Sequence, residues 1–446
     1  MLTVFIPPNF IPERSYIIRT LLNHYCGIDT EIVPRKGQLH YTLTWPNKSI
    51  EIRDDFFGHT FVGESYLSVD RIPQKVFQTT MAPFESIIGF FGEEIIETTS
   101  DKIVSGIDLF AGAFFMLTRW EESLGQHEDL HGRFPAERAL IVNEGHILRP
   151  VVDEYVSLLR SWLNQLGYPV PHDRSKYKVV PTCDVDIPYY WSRSHVWKVL
   201  LTGLLKHKSL KKLKEEKQTI SNTGSGKEKD PYDTFDDMMS LAEKNNLRFR
   251  FHMIGGGETK FERFYTISDP RIISLMTSFI ARGHEIGLHP SYNAFHNLRM
   301  IEQERANVTE YSGQKIFTSR QHYLRFTVPD TWQLLSTAFI KEDSTLGYAA
   351  EPGFRCGTSK PFPVFDIHQQ KELPIIERPL LIMDVSLRMY KGFSVEESIR
   401  YCRQIIDQVK KHNGELVFLW HNSSLSDLEG WTGWQRVLNY IMTSNQ

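Results

Sequence analysis

From Tyr177 onward the chain alternates short apolar runs with stretches of helical period, and the apolar runs stop in acids or imidazoles. The runs cover 177–183, 247–254, 285–288, 315–321, 342–346, 380–385 and 415–420. Helical periodicity fills 269–281, 300–312, 329–339, 395–411 and 430–442 between and after them. About seven strand–helix units predict a parallel sheet or a closed β/α barrel. Parallel strands of that kind bring their C-terminal ends to one side, where loops line a site. At those ends stand Asp184 and Asp186, then His289, then Arg320 with His322 and Arg325, then Asp384, and last His421.

The first run closes as Pro181-Thr182-Cys183-Asp184-Val185-Asp186. Carboxylates two apart on a strand share a face, about 6–7 Å from each other along the backbone. One can hold a cation while the other takes a proton. An Asp at a strand end is also a common turn former, so the pair gains weight only from the recurrence of chemistry-bearing residues at later strand ends. Carboxylate and imidazole together suit zinc or a similar divalent ion with a position left for water. The reaction class that follows is metal-assisted hydrolysis, with a second carboxylate as proton acceptor and a separate His as proton donor. His252, among Phe249, Phe251 and Met253, reads as a core residue. His284, one residue after Gly283, reads as structural. Arg355, in the loop Gly353-Phe354-Arg355-Cys356-Gly357-Thr358, reads either as a cation offered to substrate or as half of a structural ion pair.

Ahead of this alternating part, residues 1–172 read as a smaller α/β accessory domain with no catalytic spacing. A first strand at Met1–Ile6 ends in Pro7-Pro8, an amphipathic stretch runs from Pro12 to Tyr25, and 39–53 form a hairpin around Pro46-Asn47. Two further helices cover 107–120 and 150–166. The remainder, 173–446, forms the second domain, interrupted by a Lys-, Glu-, Ser- and Gly-rich flexible insertion at 206–230. With 446 residues and a net charge of −3, the chain has no basic field to recommend a nucleic-acid partner. No apolar run approaches the roughly 20 residues that cross a bilayer, so no membrane insertion is expected. Cys26, Cys183, Cys356 and Cys402 form no CxxC pair, which fits a reducing compartment. The N-terminus has no basic stretch or cleavage site, and a cytoplasmic location is the expectation.

Thr182-Cys183-Asp184-Val185-Asp186, Gly283-His284-Glu285-Ile286-Gly287-Leu288-His289, Arg320-Gln321-His322 and Leu419-Trp420-His421 resemble the ordered motifs of the polysaccharide deacetylase (NodB-like, carbohydrate esterase 4) superfamily. The resemblance covers about residues 175–446. Residues 1–172 more weakly resemble an uncharacterised domain that precedes such barrels in some bacterial proteins. The superfamily resemblance implies a distorted (β/α)7 barrel and removal of acetyl groups from N-acetylated sugars with a bound divalent metal, zinc in the first instance. It implies Asp184 as general base, Asp186 and His289 as metal ligands, Arg320 holding the base, and His421 as general acid. Asp384, by its strand position, would orient His421 or the Arg320 network. The chain departs from the family at the second motif, where His289-Pro290-Ser291-Tyr292-Asn293 ends in Asn instead of His. Asn293 is then the expected third ligand, with His296 or His322 as substitutes. Two other functions stay open: a degenerate barrel that binds saccharide without turnover, and a metal-independent amidase acting on small cyclic ureides. A cytosolic enzyme would meet precursor or small saccharides instead of finished polymer. Tyr189, Tyr190, Trp191 and Tyr292 are candidates to stack on a sugar ring.

Overall fold

The computed structural model describes residues 1–59, 65–81, 84–124, 128–173, 175–190, 222, 228–262 and 264–445. Most of the insertion at 206–230, and Trp191, lie outside them. The fold is mixed α/β, with three sheets among the described residues.

Eight strands form two sheets in the first half: β1 (Leu2–Ile6), β2 (Thr30–Pro34), β3 (Tyr41–Trp45), β4 (Lys48–Ile52), β5 (Phe77–Met81), β6 (Phe84–Gly89), β7 (Gly92–Thr98) and β8 (Lys102–Ile107). Six of them share a sheet in the order β2-β1-β3-β4-β8-β7, and β5 pairs with β6 alone. The expected hairpin is β3–β4, turning at Asn47 with φ 57°. Helix α1 (Ile11–Ile18) continues as a π-helical stretch to Tyr25. Helix α2 (Leu109–Thr118), read from its run of Leu, Phe, Ala and Met, is buried along its whole length. A helix apolar all round must be covered on every side, and here the second half of the chain provides one cover. The carboxylate of Asp108 caps its N-terminus by accepting from the Ala111 N–H at 3.0 Å. Short helices α3 (Trp120–Ser123) and α4 (Leu140–Asn143) lead to α5 (Val151–Gln165).

The second half builds a nine-stranded sheet from β9 (Lys178–Val185), β10 (Arg250–Met253), β11 (Glu285–Leu288), β12 (Thr318–Ser319), β13 (Glu342–Asp343), β14 (Phe362–Asp366), β15 (Lys371–Glu377), β16 (Ile382–Met383) and β17 (Glu415–Leu419). The order is β14-β15-β13-β12-β11-β10-β9-β17-β16. All neighbours pair in parallel except β14 with β15. Helices α6 (Phe235–Lys244), α7 (Pro270–Ala281), α8 (Leu298–Ser312), α9 (Asp330–Thr337), α10 (Val395–Lys411) and α11 (Gln435–Thr443) lie between and after the strands. Each expected strand from 177 onward is present; β9 runs on to Val185, β11 keeps its expected bounds, and the others are shorter than expected.

Sequence reasoning missed α6 and the β14–β15 hairpin. In β15 the alternation is weakened by Lys371, Glu372 and Pro374, so its pattern does not stand out. That hairpin is one place where the two halves meet. Phe365 of β14 packs against Tyr16 at 4.8 Å and Phe114 at 5.7 Å between ring centroids. The Tyr16 hydroxyl donates to the Pro363 carbonyl at 2.9 Å. One continuous apolar core therefore runs from β1 through α2 to β17.

Candidate active site

Because the strands run in parallel, β9, β11, β12, β16 and β17 deliver their following residues to one edge. Asp184 pairs in register with His252 on the neighbouring strand β10. The buried His252 ring is held neutral, its pKa pushed down by burial to about 3, and its Nδ1–H donates to Asp184 Oδ1 at 2.9 Å. From β12 the Arg320 guanidinium reaches the same oxygen at 3.3 Å and the Thr182 hydroxyl at 2.6 Å. Its other N–H groups donate to the Ser344 carbonyl and hydroxyl at 2.7 and 2.9 Å. Burial alone would raise the Asp184 carboxyl, but His289, Arg320 and His252 outweigh it and hold the group well below the usual carboxylate range. An ionised carboxylate is thus fixed at the end of a central strand.

Asp186, two residues on, projects into a ring of imidazoles. Its Oδ1 lies 3.2 Å from His289 Nε2 and 3.5 Å from His322 Nε2, and its Oδ2 lies 3.6 Å from His421 Nε2. His289 Nδ1 lies 2.6 Å from the Arg320 carbonyl. A carbonyl can only accept, so that nitrogen carries a proton and Nε2 is the atom turned toward Asp186. Burial lowers the pKa of the ring, but Asp184 and Asp186 outweigh it and raise the value. His322 Nδ1 faces the buried Glu262 carboxylate at 3.5 Å. Glu262 is itself fixed by the Tyr292 N–H at 2.6 Å and the Thr259 N–H at 3.0 Å.

Asp186 Oδ1 is buried and has no hydrogen-bond donor. With the two Nε2 atoms it forms a set of one oxygen and two nitrogens lying within 4.8 Å of one another. A buried carboxylate oxygen with no hydrogen-bond donor, facing two imidazole nitrogens, is a set that a bound cation would complete. The donor types also suit zinc, cobalt or nickel. The residues present therefore fit a divalent metal.

Asn293 does not stand in that group. It is exposed, and its Oδ1 accepts from Arg325 at 3.3 Å. A 3-10 turn at Ala294–His296 carries this stretch onward, and His296 is exposed as well. The nitrogen in the missing position comes from His322, three residues beyond the end of β12, where Tyr323 takes φ 61°. That left-handed residue folds the chain back so that His322 points at Asp186. No spacing rule in the sequence reports such a backbone turn.

On the other side of Asp186, His421 follows β17. Its Nδ1 bonds Asp384 Oδ1 at 2.8 Å, and its backbone N–H donates to Asp384 Oδ2 at 2.8 Å. Burial lowers the His421 pKa, but Asp384, Asp186 and Asp184 together outweigh it and raise the value to about 10. The imidazole is therefore an imidazolium at neutral pH.

These groups line a cavity of about 330 Å³. Its apolar walls are Phe261, Phe264, Tyr323, Leu324, Met383, Val385, Tyr390 and Leu419. The aromatic residues expected there sit elsewhere. Tyr189 lies beneath Arg271, Tyr190 packs on Tyr232, and Tyr292 stacks on Phe261 behind the wall. Arg355 is buried, with its Nε donating to Glu122 at 3.0 Å, and so is the structural ion pair. His284 is structural too, Nδ1 accepting from the Phe249 N–H at 3.0 Å. His252 is more than core, because it secures Asp184; only the β9–β10 register reveals that. A larger cavity of about 700 Å³ lies against the N-terminal sheet, and among the described residues it gathers no set of metal-ligating groups.

Residues 2–168 match a family described as a family of unknown function, DUF7033. No curated protein matches the chain. Among solved structures, a candidate polysaccharide deacetylase from Mycobacterium smegmatis is similar over 61% of this chain and 84% of its own, at 17% identity and a TM-score of 0.40. A CE4 family pseudoenzyme from Bacillus anthracis is similar over 60% of each chain, at 9% identity and a TM-score of 0.30. A polysaccharide deacetylase from Bacillus cereus is similar over 60% of this chain and 86% of its own, at 11% identity and a TM-score of 0.29.

Proposed function

We propose that the chain is a metal-dependent hydrolase that removes the acetyl group from an N-acetylated sugar or a related amide, on a distorted (β/α)7 barrel. The observation that carries this reading is the pair of differently charged groups flanking one donor set: ionised Asp184 on one side of Asp186, His289 and His322, and cationic His421 on the other. Asp186, His289 and His322 would hold the metal, which supplies Lewis acidity to the amide carbonyl and acidifies water. Asp184, kept ionised by Arg320 and His252, accepts the proton of the attacking water. His421, held by Asp384, donates from Nε2 to the nitrogen of the leaving amine. Two groups whose surroundings drive their protonation apart divide the acid and base work between them.

The test is acetate release from N-acetylglucosamine and its oligomers by zinc- or cobalt-loaded protein. Asp184→Asn should keep the metal and lose roughly a hundred- to ten-thousand-fold in kcat. His289→Ala should lose metal and activity together. Undiminished turnover in Asp184→Asn, or a protein that binds none of zinc, cobalt and nickel, sinks the reading.

A further inference from the structure

We infer that Arg133, held by the segment Asp129–Pro135 of the DUF7033-matched region, forms one wall of the catalytic cavity and is a specificity-determining residue. It restricts the site to a small N-acetylated saccharide or a chain end and excludes internal units of a polymer. The inference rests on the deacetylase reading for the identity of the reacting group, but not for the shape of the cavity.

Arg133 belongs to the first half of the chain, yet it lines the cavity together with Asp186 and His421. Its guanidinium bridges two elements of the second half. One N–H donates to the Tyr323 carbonyl at 3.0 Å, beyond β12, and another to the Tyr390 hydroxyl at 3.2 Å, beyond β16. Its Nε donates to Asp129 at 2.7 Å. Asp129 also accepts the N–H groups of His131 and Arg133 at 2.8 and 3.0 Å, so the segment is braced by its own turn.

The His131 ring packs 4.6 Å from Tyr323 and bonds the Tyr292 hydroxyl at 3.0 Å, while its carbonyl accepts from Arg325 at 2.6 Å. Between these anchors Gly132 has φ +68°, and a Cβ there would stand 3.0 Å from the Arg325 guanidinium. The wall is fixed at both ends, and a side chain at its tip would be strained by that φ and would press on the Arg325 guanidinium.

Behind it lies a second cavity of about 200 Å³, which shares Arg133, Leu324 and Tyr390 with the first. Those three side chains are the partition between the two spaces. At about 330 Å³ the catalytic cavity sits near the lower end of small-molecule sites, about 300–1,000 Å³. A saccharide that extends on that side would have to cross the partition.

The experiment measures zinc-loaded Asp184→Asn protein by calorimetry against N-acetylglucosamine and its di-, tetra- and hexamer. Wild-type protein, in parallel, is scored for which unit of the hexamer loses acetate. Affinity should level off by the dimer, and deacetylation should fall at a chain end. Arg133→Ala should raise internal deacetylation relative to terminal at least ten-fold, with zinc affinity unchanged. Tyr390→Phe, which leaves the N-terminal segment intact, should move the ratio the same way by less. Affinity that keeps rising to the hexamer, internal units cleaved as readily as ends, an unmoved ratio in both variants, or no saccharide binding at all overturns the proposal. Loss of zinc binding with the length profile intact would instead remove the hydrolase reading and leave the wall standing.

Discussion

At the scale of single residues, the decisive substitution of roles is His322 for Asn293. Of the two, only His322 turns a nitrogen toward Asp186, with Glu262 behind it. Calorimetric zinc titration should therefore show a loss of at least ten-fold in affinity for His322→Ala and no change for Asn293→Ala. Glu262→Gln should lie between them, because carboxylates that orient a ligating His typically contribute 10–100-fold. Equal affinities for His322→Ala and wild type would remove His322 from the ligand set. The positions of Asp184, Arg320, Asp384 and His421 were legible from strand ends, and their expected roles came from the family resemblance. His252, Glu262 and Arg133 were not, because each joins the site through register or through a loop that no period marks.

At the scale of elements, the site depends on β10, β13 and β15 keeping their register. Glu342 of β13 binds Arg250 of β10 and Arg378 just beyond β15. Burial works upward on the Glu342 carboxyl, but the two guanidiniums outweigh it and hold the pKa down at about 2, from an ordinary 4.5. A carboxyl depressed in the folded state contributes stability above its ordinary value, and that contribution fades as pH falls from 4.5 toward 2. Its size is on the order of 3 kcal/mol. Urea unfolding should show Glu342→Gln destabilised by about that amount at pH 7, with the difference from wild type narrowing below pH 4.5. A difference that stays constant down to pH 3 would mean the loss is packing alone. The triple glycine after β10 has a separate reason: a Cβ on Gly255 would stand 2.2 Å from the Glu304 carbonyl of α8. Gly255→Ala should accordingly displace α8 and, through it, Ser291, whose N–H donates to Glu304 at 2.7 Å.

For the molecule as a whole, the two halves share an apolar core and the cavity of the candidate site. Phe365→Ala removes the ring that packs on both Tyr16 and Phe114, a loss of about 3–5 kcal/mol for a buried aromatic. Calorimetric melting should show one transition that moves downward as a unit. Two resolved transitions with only one displaced would show that the halves unfold independently. The sequence by itself determined the parallel alternation and most of the chemistry at its strand ends, because apolar period and strand-terminal residues are local properties of the chain. It left open which nitrogen completes the donor set, that β14 and β15 join the halves, and that Arg133 enters the cavity. Only the tertiary structure decided these, because each depends on register, on a left-handed residue or on packing between segments more than a hundred positions apart, which local pattern does not encode.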